Sequence, residues 1–225
     1  MKFINAPVAI IFLLGVLLSA CSSGPEKPEP KTEQPLAEGA VARSPLLPEG
    51  PVTPNPYLAD KPSVNRQNRQ LFTDAQAAMN NKQWPQAEKL LLQLTAQAPT
   101  LSGAFLNLGM VYQAQENFEK AEAAFNQAIT ANKNNLDAYN QFAIFKRERG
   151  DFVAAESLYK QALVVWPFHP VSHKNIGILY DLYMGKPEQA VQHYQAYQQL
   201  LSEPDKEVNG WIVDLERRLG AAKGG

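Results

Sequence analysis

Three histidines are the only side chains in this 225-residue chain whose placement suggests transition-metal chemistry. His169 and His173 are four apart, the spacing that lets two imidazoles on one helix share a metal ion. Pro170 lies between them and biases His169 out of helical geometry, and no acidic third ligand stands nearby. The spacing therefore predicts a turn histidine at 169 and a groove or surface histidine at 173. His193 precedes Tyr194 on a predicted helix and has no partner in sequence. The single cysteine, Cys21, excludes an internal disulfide framework and a Cys-rich zinc site. No Gly-rich phosphate loop, Gly-x-Ser-x-Gly elbow or His-Glu-x-x-His helix is present. Glu119, Glu122 and Glu148 are expected on solvated helix faces. A formal charge of −1 and a pI near 6.3 lack the basic footprint of a nucleic-acid binder. The expectation is a protein that is not an enzyme, with no small-molecule substrate.

The segments that would position any site begin with an address. Met1-Lys2 gives a positive start, and an apolar run of eleven follows from Val8 to Leu18. As helix it covers about 16 Å, roughly half of a hydrocarbon core, so it reads as a secretory signal over residues 1–20. Leu18-Ser19-Ala20-Cys21 resembles the bacterial lipobox. That resemblance implies cleavage between Ala20 and Cys21, with diacylglyceryl and acyl chains on Cys21 as the sole covalent group and no other cofactor. Two or three such chains anchor stably. The alternative is an ordinary signal peptide cut near Ala20, leaving a free thiol. Ser22, by the same resemblance, implies sorting to the outer membrane, facing the periplasm.

Residues 21–66 are expected to be a disordered tether. Ten prolines fall between residues 22 and 66, amid mixed charge and few large apolar residues. As a coil this segment spans roughly 35–40 Å, and as drawn-out polyproline II about 140 Å. It reads as a spacer or as an inert linker, with Leu46-Leu47 and Tyr57-Leu58 as possible small docking points.

From residue 67 the chain repeats itself every 34 residues. Ala87, Ala121 and Ala155 align, with Trp84, Phe118 and Phe152 three before and Leu91, Phe125 and Tyr159 four after. A fourth copy follows after one inserted residue, with Tyr180, Ala190, Tyr194 and Tyr197 in register. The second copy is fullest, with Phe105, Leu108, Gly109, Tyr112, Phe118, Ala121, Phe125 and Ala128. This pattern resembles the tetratricopeptide repeat (TPR). The fold expected is all-α, a right-handed superhelical solenoid of about four helix pairs over 67–202 (68–101, 102–135, 136–169 and 170–202). Gly109 and Gly177, mid-helix at a cost of about 1 kcal/mol each, suggest close helix approach. A capping helix is expected over 203–220, opening at Ser202-Glu-Pro-Asp205, ended by Gly220 and followed by a short tail. Its apolar stripe is Val208, Trp211, Ile212, Leu215 and Leu219.

In such a solenoid the first helix of each pair lines the concave side. The inward positions of that register include Leu106, Asn107, Met110 and Gln113 in repeat two, then Asn140, Gln141, Ile144 and Arg147 in repeat three. Repeat four contributes Lys174, Asn175 and Ile178. Asn107, Gln141 and Asn175 recur 34 apart, and an amide ladder of this kind suits an extended peptide backbone. It resembles the Asn ladder of peptide-binding members, from which Gln141 departs. Alternatively these amides only cap neighbouring helices. Met110, Ile144 and Ile178 form a parallel apolar row. The family's carboxylate clamp is not reproduced, since Ile178 stands where Lys174 would need an Asn. The resemblances together imply an outer-membrane-anchored periplasmic adaptor that binds another envelope protein or peptide segment. The alternatives are a pilotin-like assembly factor for pilus secretins and, from another class, a metal-binding or enzymatic lipoprotein.

Overall fold

A computed structural model describes residues 44–59 and 63–223; Ala20, Cys21 and the rest of the expected signal segment lie outside the described residues. The described chain holds ten helices and no strand. A short α1 (Pro56–Ala59) precedes four antiparallel pairs. These are α2 (Arg66–Asn80) with α3 (Trp84–Gln97), α4 (Ser102–Ala114) with α5 (Phe118–Ala131), α6 (Leu136–Glu148) with α7 (Phe152–Val165), and α8 (Pro170–Leu182) with α9 (Pro187–Gln199). A last helix, α10 (Lys206–Lys223), packs on α9. No helix among them is long and apolar enough to cross a membrane.

Each pair is closed by the same turn. Lys82, Glu116, Gly150 and Gly185 all take positive φ, between 57° and 78°, at one register position. The following N–H groups reach back into the first helix: Gln83 to Ala78, Asn117 to Tyr112, Asp151 to Lys146 and Lys186 to Tyr180. These bonds satisfy carbonyls that a helix end otherwise leaves open. Asn117 and Asp151 then cap the second helix through their side chains, and Asn135 does the same for α6.

The repeated small and large residues form the core. Ala87, Ala121, Ala155 and Ala190 are fully buried, as are Leu91, Phe125, Tyr159 and, within 1%, Tyr194. Between pairs, α2, α4, α6 and α8 touch in succession, whereas no comparable contact joins α3, α5, α7 and α9. The first helices therefore lie closer together and line the inner side of an α-solenoid. Polar bridges tie neighbouring pairs: Asn135 Nδ2 donates to Ser102 Oγ at 2.9 Å, and Asn140 Nδ2 to Ser172 Oγ at 2.7 Å.

Two expectations need correction. The capping helix begins at Lys206, where Asp205 Oδ1 accepts from the Glu207 and Val208 N–H groups, and Ser202 plays no part in the cap. It also continues through Gly220 to Lys223, because at a solvent-facing end the glycine costs only its propensity. Val208, Ile212 and Leu215 are buried as expected of its stripe, and Trp211 packs against Tyr194.

The second correction concerns the tether. Residues 44–59 are not a free spacer but a strap along the repeats. Ser44 is buried: its Oγ donates to the Gln192 carbonyl at 2.8 Å and its N–H to Gln199 Oε1 at 3.2 Å. Farther on, the Trp166 indole N–H donates to Thr53 O and Oγ1, both at 3.1 Å. Tyr57 and Phe72 then share a cleft with Leu101 and Gly103. Proline density keeps the segment from forming long helices, yet leaves its polar groups able to bond to the repeats.

Candidate peptide-binding groove

The inner side holds a pocket of about 530 Å³ between the C-terminal turns of α2, α4 and α6. Met79, Trp84, Met110 and Ile144 give it apolar walls, and Asn80, Gln113, Gln141 and Glu148 supply polar groups. Gln113 Nε2 donates to Glu148 Oε2 at 2.7 Å, bridging α4 to α6. Of the residues expected to face the groove, Met110, Gln113, Gln141 and Ile144 line this pocket. Met79, Asn80, Trp84 and Glu148 line it without having been expected there. Met79 was within reach, since it sits 34 residues before the inward-facing Gln113.

Most of the remaining positions are engaged inside the protein. Leu106 is buried in the core cluster and does not face an open groove, because α4 packs between the first helices of pairs one and three. Asn140 is likewise buried, its Nδ2 spent on Leu136 O and Ser172 Oγ and its Oδ1 accepting from Asn175 Nδ2. That amide is an inter-repeat bolt rather than a rung for a ligand. Asn107 is half-buried, with an Nδ2 that has no partner. Arg147 stacks its guanidinium 5.5 Å from the Tyr183 ring centre. Ile178 packs against the core.

Lys174 is held by the chain's own α9–α10 loop. Its Nζ donates to Asp205 Oδ2 at 2.9 Å and lies over the Tyr197 and Trp211 rings. Burial pulls the Lys174 ammonium down in pKa, but Asp205 and Tyr197 outweigh it and the net shift is upward. The Lys174 hydrogen bond and the Val208 N–H hold the Asp205 carboxyl down at about 2. Repeat four's part of the inner face is thus filled by its own cap, and the open groove belongs to pairs one to three.

His169 lies in the turn before α8 with extended backbone, as Pro170 biases it, and His193 lies on α9, whereas His173 departs from its expected place. All three are buried. His173, expected at the groove or surface, pairs with His193 across α8 and α9, Nδ1 to Nδ1 at 3.0 Å. His173 Nε2 meets the Pro167 carbonyl at 2.9 Å, so it carries the proton; its Nδ1 accepts, and His193 Nδ1–H donates. Burial lowers both pKa values, and each histidine disfavours charge on a neighbour: His173 on His193, His169 on His173. His169 is also lowered by burial, and its Nδ1 accepts from the Ser172 hydroxyl at 2.8 Å. His169 is thus bonded to Ser172 rather than to the pair. Among the described residues no three His, Cys, Asp or Glu side chains converge as a metal site needs.

Comparison with known proteins agrees with this architecture. Residues 103–135 match the model of the tetratricopeptide repeat. Human protein O-mannosyl-transferase TMTC3 is 29% identical over 147 residues, 58% of this chain. The match spans only 16% of that protein's length. Among solved structures, Pseudomonas aeruginosa PilF superposes with a TM-score of 0.60 at 18% identity, covering 68% of this chain and 69% of that one. TTC0263, a TPR protein of Thermus thermophilus, gives 0.57 at 20% identity, covering 67% and 81%. These likenesses show a tetratricopeptide repeat at residues 103–135 and the fold of a TPR solenoid for the described chain.

Proposed function

We propose that the protein is a lipid-anchored adaptor of the outer membrane that faces the periplasm and binds an extended segment of another envelope protein. The observation that carries the binding role is the open pocket on the inner side, where Met110 and Ile144 offer apolar contact beside the Gln141 amide. An amide both donates and accepts, so it can pair with a peptide backbone while the apolar residues take a side chain. The anchor rests on the lipobox-like Leu18-Ser19-Ala20-Cys21.

A photoreactive residue at Met110 or Gln141, introduced in cells, tests the groove. Both positions should capture the same envelope protein, and Ile144→Glu should abolish capture. Equal capture from Val164, exposed on α7, would refute the groove as the binding face. Metabolic labelling with an alkynyl fatty acid, lost in Cys21→Ala, tests the anchor. Loss of secretin multimers on deleting the gene would move the reading to the assembly-factor alternative.

A further inference from the structure

The strap changes where the chain leaves the repeats. Its contacts run backwards along the stack as the sequence advances. Ser44 is fixed on α9 of pair four, Thr53 on Trp166 between pairs three and four, and Tyr57 beside Phe72 and Gly103 of pairs one and two. Without these contacts the chain would depart at α2, next to pair one. With them its departure point is Ser44, beside α9 and at the end of the stack that α10 closes.

From this route we infer that the strap sets the orientation of the repeats on the lipid surface: pair four and α10 face the membrane, and the pocket of α2, α4 and α6 faces away. The inference rests on the proposal that Cys21 carries lipid. Residues 22–43, a stretch of 22 residues, then separate the lipid from the fixed point. A tether running to Arg66 would be twice as long and would present the opposite end. The exposed side of α10 does not explain such an orientation by itself. Between Lys206 and Arg218 its three basic residues, Lys206, Arg217 and Arg218, are matched by Glu207, Asp214 and Glu216, so this stretch forms no basic patch for anionic headgroups. The covalent route supplies the direction. Its consequence is that the guest segment is met on the side away from the lipid.

The experiment uses the full lipidated chain in vesicles of phosphatidylethanolamine and phosphatidylglycerol with an energy-transfer acceptor on a headgroup. Because the Cys21 thiol would be consumed by its thioether, Val213→Cys on α10 or Leu92→Cys on α3 is the only thiol to label; both sites are exposed. The Val213 label should transfer severalfold more efficiently than the Leu92 label. The double variant Ser44→Ala, Trp166→Phe should erase most of that contrast. Vesicle-bound protein with equal or reversed transfer overturns the orientation alone. Contrast that survives in the double variant overturns the strap as its cause. Protein that fails to float with vesicles overturns the lipid anchor, and the orientation falls with it.

Discussion

Gly109 on α4 lies so close to Phe125 on α5 that a Cβ at position 109 would stand 2.6 Å from the ring's Cδ1. Gly177 meets Tyr194 at the same 2.6 Å. The Phe125 ring cannot swing aside, being fully buried with Phe142 and Phe145 each 5.6 Å away, centre to centre. Gly109→Ala would gain about 1 kcal/mol of helix propensity. Overpacking at such a contact costs about 1–3 kcal/mol, so the net outcome is destabilisation. Urea unfolding should show a lower midpoint; a higher one would mean that the pair can spread without penalty.

The intra-pair turn offers a change of opposite sign. Glu116 holds φ 59° with a full side chain, where Gly150 holds 78° in the next repeat. Left-handed backbone costs an L-residue about 1–2 kcal/mol, while a glycine loses about 0.4–1 kcal/mol more chain entropy on folding. Glu116→Gly is therefore expected to stabilise by several tenths of a kcal/mol and Gly150→Ala to destabilise. Thermal melts of the two variants should move in opposite directions.

At the other end, Asp205 joins two tasks, capping α10 and holding Lys174. The ion pair is partly exposed and worth at most about 1 kcal/mol, whereas loss of an N-cap costs about 0.5–2 kcal/mol. Asp205→Ala should therefore lower stability by about 1–2 kcal/mol and Asp205→Asn by much less, since the amide oxygen still caps. Hydrogen exchange over the first turn of α10 should rise in the alanine variant only. Equal losses in both variants would assign the stability to the charge instead.

The repeats were legible because every copy restates one packing rule: a small residue at Ala87, Ala121, Ala155 or Ala190, opposed by a large one four later. The strap was not. It is held by a few hydrogen bonds linking residues 148 and 113 positions apart, and such bonds leave no hydrophobic period to read. The groove lies between. Register placed Met110, Gln141 and Ile144 on the inner side, but register cannot say how far the next helix covers a turn. Leu106 and Asn140 share that side and are covered. His173 and His193 are joined only by the antiparallel alignment of α8 and α9, a relation that neither residue's neighbours in sequence disclose.

That histidine pair gives the fold an acid-sensitive joint between α8 and α9. His169, His173 and His193 all have pKa values pressed below the ordinary 6.5 by burial. The folded state therefore binds fewer protons than the unfolded one as pH falls past 6.5, and stability that is complete above that value is lost below it. Each fully neutral histidine contributes a slope of up to about 1.4 kcal/mol per pH unit. The surrounding charges do not reverse the sign. Lys160 further disfavours a charged His193, and Asp137 only partly offsets the burial of His169. Unfolding free energy from urea titrations should hold steady from about pH 8 to 7 and drop between about pH 6.5 and 5. His193→Gln keeps a donor for His173 Nδ1 but cannot take up a proton, so its slope should be shallower by one histidine's share. An unchanged slope in that variant would show that His193 takes up no proton on unfolding and that the acid response arises elsewhere.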